Sequence, residues 1–369
     1  MHYFCSTIID GAVNTYINTT IEVIDGSSVC IGSCRQLLER LLPEGRRIIV
    51  ITDATIDRLY RSLLEPYECF VIGVGESGKT LHTAAALYRK LIETEADRSC
   101  FVLGVGGGVV TDIAGFVAST YMRGLEFGFV STTLLGQVDA AVGGKNGVNV
   151  DGFKNMVGTF NQPKFAICDT EMLKTLPERE FRAGLAEVIK AAVIADTELF
   201  ELLENSSPAE LRGNGELLSR VVTSAVKVKI GIVSRDACEK GERRKLNLGH
   251  TVGHAIEKCS HTMNHGEAVA AGMAAAVRMA EVLKVLPSAD GERILRLLER
   301  YGFDLTLPAT PRRLANAILK DKKITGDTLN MILPEGIGSC RIFAVPKSEI
   351  GELLCKQHKP EKVRFAENP

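Results

Sequence analysis

Cys100-Phe101-Val102-Leu103-Gly104 runs into the cluster Gly104-Val105-Gly106-Gly107-Gly108-Val109, and a helical pattern follows. An apolar run closed by three glycines and then a helix is the strand–turn–helix unit of an α/β sheet. Backbone lacking Cβ atoms there can approach a diphosphate closely. The other use of such glycines is a tight turn with positive φ. Working outward, Arg47-Ile48-Ile49-Val50-Ile51-Thr52-Asp53 reads as a buried strand, 56–64 as a helix, Cys69-Phe70-Val71-Ile72 as the next strand and 80–92 as the next helix. Continuous apolar strands separated by helices indicate a parallel sheet covered on both faces, with right-handed crossovers and ligands at the strand C-terminal ends. Residues 17–24 and 28–31 read as irregular strands ahead of that unit. From Pro177 the apolar spacing turns helical, over 181–203, 217–233, 251–259, 267–283 and 292–301. Short apolar runs at 328–333 and 340–345 suggest one late strand pair, and the polar tail from about Gln357 is expected to fray. The expected organisation is an α/β half over residues 1–175 and a mostly α-helical half over 176–369.

With 369 residues, 45% hydrophobic and 24% charged, the composition is globular. Forty-four Lys and Arg against 45 Asp and Glu leave a net charge of −1, so no global positive field exists to hold a nucleic acid. No apolar run approaches the ~20 residues that span a bilayer. The N-terminal MHYFCSTIIDG has no basic segment followed by an apolar one, so a cytoplasmic location is expected. The ten cysteines contain no Cys-x-x-Cys pair and read as reduced thiols filling the core.

Three clusters carry chemistry. Gly73-Val74-Gly75-Glu76-Ser77-Gly78-Lys79-Thr80 fits the phosphate-loop pattern after a strand and before a helix. An NTPase also needs an acid at a second strand end for Mg²⁺, and only Asp169 is placed to serve. Two phosphate-friendly turns on neighbouring strands suit a dinucleotide better than a triphosphate. Second, Lys145 and Lys154 lie among Gly, Asn and apolar residues, and Glu187 and Lys190 among Ala, Val and Ile. Charges in such surroundings are expensive unless paired with a ligand, a metal or each other. Third, Asn247-Leu248-Gly249-His250-Thr251-Val252-Gly253-His254 places two histidines at i and i+4 on one helix face, with His265 eleven residues further on, the spacing of a metal site. Thr251 stands where a metalloprotease helix carries Glu. His261, between Ser260 and Thr262, reads as exposed.

The ordered segments GGGVVTDIAGFVASTYMRG, TTLLGQVDAAVGGKNGVN, GFKNMVGTFNQP, TLPEREFRAGLAEVIK, NLGHTVGHAIE and HGEAVAAGM resemble the 3-dehydroquinate synthase family, within the sugar phosphate cyclases. The resemblance runs from about Gly75 to Asp321-Lys322-Lys323. It implies a Rossmann-like dinucleotide-binding domain followed by an α-helical metal-binding domain, a homodimer, NAD and one divalent metal, Zn or Co. The implied reaction converts 3-deoxy-D-arabino-heptulosonate 7-phosphate to 3-dehydroquinate and phosphate by transient oxidation at C5, elimination of phosphate, reduction and an intramolecular aldol closure. Relatives of the same group act on other sugar phosphates, and polyol dehydrogenases of related fold release NADH.

By the same resemblance, Glu187, His250 and His265 match the metal ligands, and His254 the proton-transfer residue. Lys145, Lys154, Asn155 and Arg123 match residues around the phosphate and nicotinamide, Arg123 reaching the partner's site. Lys229, Arg243 and Asn247 match contacts to the carboxylate and hydroxyls, Lys190 a hydroxyl contact and Glu239 an acid behind them. Asp53, Glu76 and Lys79 match the adenosine side of NAD. Gly106, Gly107, Gly108, Val109, Val110, Thr111 and Asp112 match the diphosphate turn. Thr132, Thr133 and Thr175 match the nicotinamide end, with Asp139 beside it, and Met172, Leu173 and Lys174 are carried over as cofactor-binding. One of Lys322 and Lys323 is expected at the phosphate. Thr111, Ser131 and Asn146 depart from the family's usual Gly, Pro and Thr, and are expected to alter the cofactor turn.

Overall fold

The computed structural model describes residues 19–23, 26–260, 262–320 and 326–356. Cys5, His261, Lys322, Lys323 and the tail from Gln357 lie outside the described residues, as do parts of the expected 17–24 strand. The first half comprises β1 (Thr19–Glu22), β2 (Ser28–Ile31), α1 (Cys34–Leu41), β3 (Ile48–Asp53), α2 (Ala54–Leu59), α3 (Arg61–Leu64), β4 (Glu68–Ile72), α4 (Leu81–Glu93), β5 (Phe101–Gly106), α5 (Gly108–Thr120), β6 (Glu126–Ser131), β7 (Lys145–Val150), β8 (Phe153–Phe160) and β9 (Phe165–Cys168). The second comprises α6 (Glu178–Ala195), α7 (Thr197–Glu204), α8 (Pro208–Gly213), α9 (Gly215–Arg235), α10 (His250–Cys259), α11 (His265–Val282), α12 (Ser288–Arg300), α13 (Pro311–Leu319), β10 (Thr328–Gly336), β11 (Ser339–Pro346) and α14 (Ile350–Lys356).

Seven strands form one sheet in the order β1-β2-β9-β6-β5-β3-β4, parallel except for the β1–β2 pair. Alternate strand residues feed two layers. Val50, Leu103, Val105 and Ile167 meet Leu37, Leu38, Ile56 and Leu64 on one face. Ile49, Ile51, Val102 and Phe127 meet Leu87, Leu91, Ile113 and Val117 on the other, and that core runs on without a break into α6, α9 and α11. The chain winds outward from β3 to β4, then returns and winds the other way through β5, β6 and β9. The winding therefore reverses between β3 and β5, and the crevice at their C-terminal ends is where such sheets bind ligands. Asp53 ends β3 and Gly106 ends β5, so both flank it.

The two early strands are not an irregular preface, because β2 pairs with β9 and extends the sheet. The expected 181–203 helix breaks at Asp196, whose carboxylate caps α7 by accepting from the Leu199 amide at 2.9 Å. The 56–64 helix likewise breaks at Tyr60, with φ −121°. β6, β7 and β8 had no clear strand signature: β6 begins with Glu126 and contains Gly128, and almost every residue of the β8 hairpin arm is exposed. The cysteine reading holds for Cys30, Cys34, Cys100, Cys168 and Cys340, which are buried free thiols, but Cys238 and Cys355 are exposed and fill no core. Among the described residues no helix is long and apolar enough to cross a membrane.

Candidate active site

The phosphate-loop segment folds as a different device. Gly75 takes φ +87°, residues Glu76–Gly78 form one 3₁₀ turn, and α4 starts only after Thr80, whose hydroxyl caps it by accepting from the Thr83 amide. The Lys79 ammonium is buried; it pairs with Asp112 and donates to Asn155 Oδ1 at 2.6 Å. A triphosphate would find that charge already neutralised. The second acid an NTPase needs is committed as well: Asp169 accepts from the Cys34 amide at 2.8 Å and from the Glu171 amide at 2.9 Å. Burial outweighs Lys79 at Asp112 and pushes its carboxyl up to about 6. Asn149, which the sequence did not single out, ties this loop to the β7–β8 hairpin. Its amide donates to Glu76 Oε1 at 2.8 Å, and its carbonyl oxygen accepts from the Asn155 backbone at 2.9 Å.

The triple glycine is built for internal packing. None of Gly106, Gly107 and Gly108 has positive φ, so the tight-turn alternative does not apply. A Cβ on Gly106 would lie 2.5 Å from Val110 Cγ2, one on Gly107 2.9 Å from Thr133 Cγ2, and one on Gly108 3.0 Å from Ala140 Cβ. Their absence brings the N-terminus of α5 to the sheet's crevice, where its free amides favour an anion. Thr132 lies beside it and its buried hydroxyl has no partner, as fits a residue awaiting a polar ligand. Thr133 is spent on capping, accepting from the Gly136 amide at 3.0 Å. Asp53 accepts from the Thr55 and Ile56 amides through one oxygen, Oδ1. Val109 is half-buried, and Val110 and Thr111 are buried within α5. Met172 and Leu173 are core side chains, so only their backbone is available to a cofactor; Lys174 is exposed and pairs with Glu171. Thr175 shares a hydrogen bond of 2.7 Å with Tyr60. The three departing residues turn inward. The Thr111 hydroxyl donates to the Gly108 carbonyl at 3.1 Å, Ser131 packs on Gly136, and the Asn146 amide donates to the carbonyls of Gly144 and Asn161 at 3.1 and 2.9 Å.

Glu187, His250 and His265 converge from α6, α10 and α11, with one ligand atom from each within 4.8 Å of the others. Glu187 Oε1 is buried without a hydrogen-bond donor and faces both imidazole Nε2 atoms at 3.7 Å. His250 Nδ1 lies 3.2 Å from the Leu248 carbonyl and His265 Nδ1 lies 3.2 Å from Glu257 Oε1. With Nδ1 donating to its acceptor in each ring, each Nε2 is the atom left to face Glu187. Two imidazoles and a carboxylate, with an orphaned buried oxygen between them, fit a divalent ion. Burial, then Lys190 and the other two histidines, hold His250 well below its usual pKa. His254 sits one turn along, its ring edge-on to His250 with centroids 5.5 Å apart.

A ring of charge surrounds the cluster. Lys190 is buried against Glu187, so its side chain serves an internal ion pair as well as facing the site. A π turn at Gly136–Ala140 presents Asp139 to Lys229, which donates to Asp139 Oδ1 at 2.5 Å. Burial raises the Asp139 carboxyl, but Lys229 and Lys190 outweigh it and leave its pKa depressed. Glu239 accepts from Asn247 at 2.6 Å and pairs with Lys145. Arg243 is buried, donating to the carbonyls of Gly143 at 2.8 Å and of Ala237. Contrary to the expectation from their neighbours, Lys145 and Lys154 are half exposed, because β7 and β8 form an outlying hairpin rather than core strands. Arg123 sits in left-handed backbone at φ +70° beyond α5. Glu126, its nearest acid in sequence, pairs instead with Arg46 and Lys164.

Models of the N-terminal and C-terminal regions of 3-dehydroquinate synthase match residues 69–183 and 184–324. A 3-dehydroquinate synthase of Pelotomaculum thermopropionicum is 43% identical over 80% of this chain and 83% of its own. The chain belongs to the 3-dehydroquinate synthase family. Solved structures agree with that family's wider group. A 2-deoxy-scyllo-inosose synthase complexed with carbaglucose-6-phosphate, NAD⁺ and Co²⁺ aligns with TM-score 0.80 at 26% identity, covering 91% of this chain and 99% of its own. A 2-epi-5-epi-valiolone synthase from Streptomyces hygroscopicus with NAD⁺ and Zn²⁺ bound aligns with TM-score 0.80 at 29% identity, covering 96% and 99%. The sequence resemblance thus named the 3-dehydroquinate synthase family correctly. What it passed over were Glu257, whose contact with His265 arises where α10 meets α11, and Asn149, whose role arises when the hairpin folds onto the Gly75 loop.

Proposed function

We propose that the chain converts 3-deoxy-D-arabino-heptulosonate 7-phosphate to 3-dehydroquinate and phosphate, with NAD⁺ and one Zn²⁺ or Co²⁺ per chain. The observation that carries this reading is the Glu187–His250–His265 cluster with its buried, unsatisfied Glu187 Oε1, ringed by lysines and an arginine. Bound NAD⁺ supplies a reversible hydride acceptor, and an ion held by Glu187, His250 and His265 supplies Lewis acidity toward the substrate hydroxyls. The chain's own residues do the rest. Lys145, Lys154 and Asn155 hold the phosphate, and their attraction grows as charge develops on the leaving group. Lys229, Arg243 and Asn247 take the carboxylate and a hydroxyl, Lys190 a second hydroxyl, and His254 moves the proton. Asp53, Glu76, Lys79, Gly106–Asp112 and Thr132 line the cofactor crevice, supported by the reversal of winding between β3 and β5. The boundary near residue 175 belongs to the same reading, since the sheet ends with β9 and the helices begin with α6. So does a cytoplasmic location, for which the buried free thiols speak.

One assay tests the activity. With NAD⁺ and the heptulosonate phosphate, phosphate is expected to accumulate while nicotinamide absorbance shows no net NADH. Accumulating NADH would mark a polyol dehydrogenase. Phosphate release from a sugar phosphate lacking the carboxylate, and none from the heptulosonate, would mark a different cyclase.

The reading includes a homodimer in which Arg123 completes the partner's phosphate site. Its support is that Arg123 stands on an exposed turn beside Met122, without Glu126 as a local partner. Arg123→Ala and Lys190→Ala homodimers are each expected to be nearly inactive. Unfolded, mixed equally and refolded, half the dimers are mixed, and each mixed dimer holds one whole site. About a quarter of all sites should recover, as an isologous pair requires. No recovery, while refolded wild type regains its activity, would place Arg123 within its own chain's site or outside any.

A further inference from the structure

The two histidines of the cluster are held by unlike means. His250 gives its Nδ1 proton to the Leu248 carbonyl, a backbone group two residues away that the start of α10 fixes in place. His265, the first residue of α11, gives its Nδ1 proton to a side chain, Glu257 Oε1, at 3.2 Å. Only at His265, then, do tautomer and ring orientation depend on a residue that substitution can change without touching the backbone. Glu257 lies on α10 seven residues after His250 and three after His254, on the same helix face. Its side chain is 12% exposed, and the same Oε1 receives Lys154 Nζ from β8 at 3.1 Å. One oxygen therefore joins a ligand of the candidate metal centre to a lysine of the hairpin. A plain ion pair with Lys154 would account for the acid, but not for an oxygen shared with the His265 imidazole.

We propose that Glu257 is a positioning residue for the metal centre: its carboxylate holds His265 with Nδ1 protonated and Nε2 aimed at Glu187, and so sets metal affinity. This rests on the metal reading above. A carboxylate behind a ligating imidazole fixes its tautomer and raises its basicity, and loss of such a partner costs roughly 10–100-fold in affinity. Lys154 touches the same oxygen without touching His265, so it separates this role from anchoring of the hairpin.

The test is titration of the metal-free protein with Co²⁺ against a chelating dye, in wild type, Glu257→Gln, Glu257→Asp and Lys154→Met. The wild type should bind one ion per chain, and failure there overturns the metal reading itself. Glu257→Gln, isosteric but uncharged, should raise the Co²⁺ dissociation constant about 10–100-fold without shifting the melting temperature of the metal-free protein. Glu257→Asp, which keeps the charge, should raise it less. Lys154→Met should leave it within about threefold, the lysine having no contact with the imidazole. A Glu257→Gln constant within twofold of wild type overturns the proposal, and so does an equal rise in Lys154→Met. If Glu257→Gln does not fold, Glu257→Asp decides: a constant within twofold of wild type overturns the proposal and a larger one supports it.

Discussion

Replacing His250 by alanine is expected to lower turnover by about a thousandfold or more, equivalent to about 4 kcal/mol of lost transition-state stabilisation. His250 supplies one of the three atoms that face the centre of the cluster, with Nε2 3.7 Å from Glu187 Oε1. Without it, Glu187 and His265 remain as a two-ligand site, open on one side and too weak to hold an ion at ordinary concentrations. The buried Glu187–Lys190 pair stays intact, so the fold is expected to survive and the loss to be chemical. Metal analysis after gel filtration should find well under one ion per chain, and excess Zn²⁺ or Co²⁺ should restore little activity. Stoichiometric metal with normal turnover in His250→Ala would sink the assignment.

Gly272→Ala is expected to destabilise the protein by about 3 kcal/mol, although alanine in a helix ordinarily gains about 1 kcal/mol over glycine. The methyl group would collide with the Gly249 carbonyl oxygen and stand 2.8 Å from the Gly253 nitrogen. Both are backbone atoms at the start of α10, so relief requires the two helices to part, and sterics outweigh propensity. Gly291→Ala is the paired comparison. There the colliding group is the Glu281 carboxylate, the free end of a flexible side chain, which can swing away. Gly291→Ala is expected to melt within about 2 °C of wild type, and Gly272→Ala clearly lower with weakened metal binding, because Gly249 leads directly into His250. Equal melting temperatures in thermal denaturation would show that α10 and α11 can separate at no cost.

The parts of the structure that sequence patterning exposed are those with a period. Ile48 to Asp53 and Phe101 to Gly106 lie inside the sheet and read as continuous apolar runs; Cys69 to Ile72 reads the same way although, at the sheet edge, its Val71 is exposed. The long helices repeat their apolar positions every third or fourth residue. The hairpin of β7 and β8 has neither pattern, since its outer arm faces solvent and its inner arm carries two asparagines and a glycine. Lys145 and Lys154 looked enclosed because their sequence neighbours are small or apolar, yet both lysines are half exposed even though Asn146 and Val148 beside Lys145 turn inward. The His250–His254 spacing pointed to a metal site, but the cluster takes His250 together with His265 and Glu187 and leaves His254 outside it; the full set came only from the family resemblance. The bond from Glu257 to His265 was not legible, because it depends on how α10 meets α11. The phosphate-loop motif misled for a reason outside its own span: its lysine has the right neighbours in sequence, but the fold buries it against Asp112 and Asn155.

Asn146 and Gly115 occupy what is in effect one volume. A Cβ on Gly115 would collide with Asn146 Oδ1 and lie 2.5 Å from its Cγ, and Asn146 is pinned by its two backbone acceptors. While Asn146 stands in this position, no residue larger than glycine fits at 115 without displacing it. Ser131 and Gly136 form a second such lock, since a Cβ at 136 would meet the serine hydroxyl. Asn146 and Ser131 are therefore each half of a matched pair, so Gly115→Ala or Gly136→Ala would push its partner's polar side chain out of the place its neighbours hold for it.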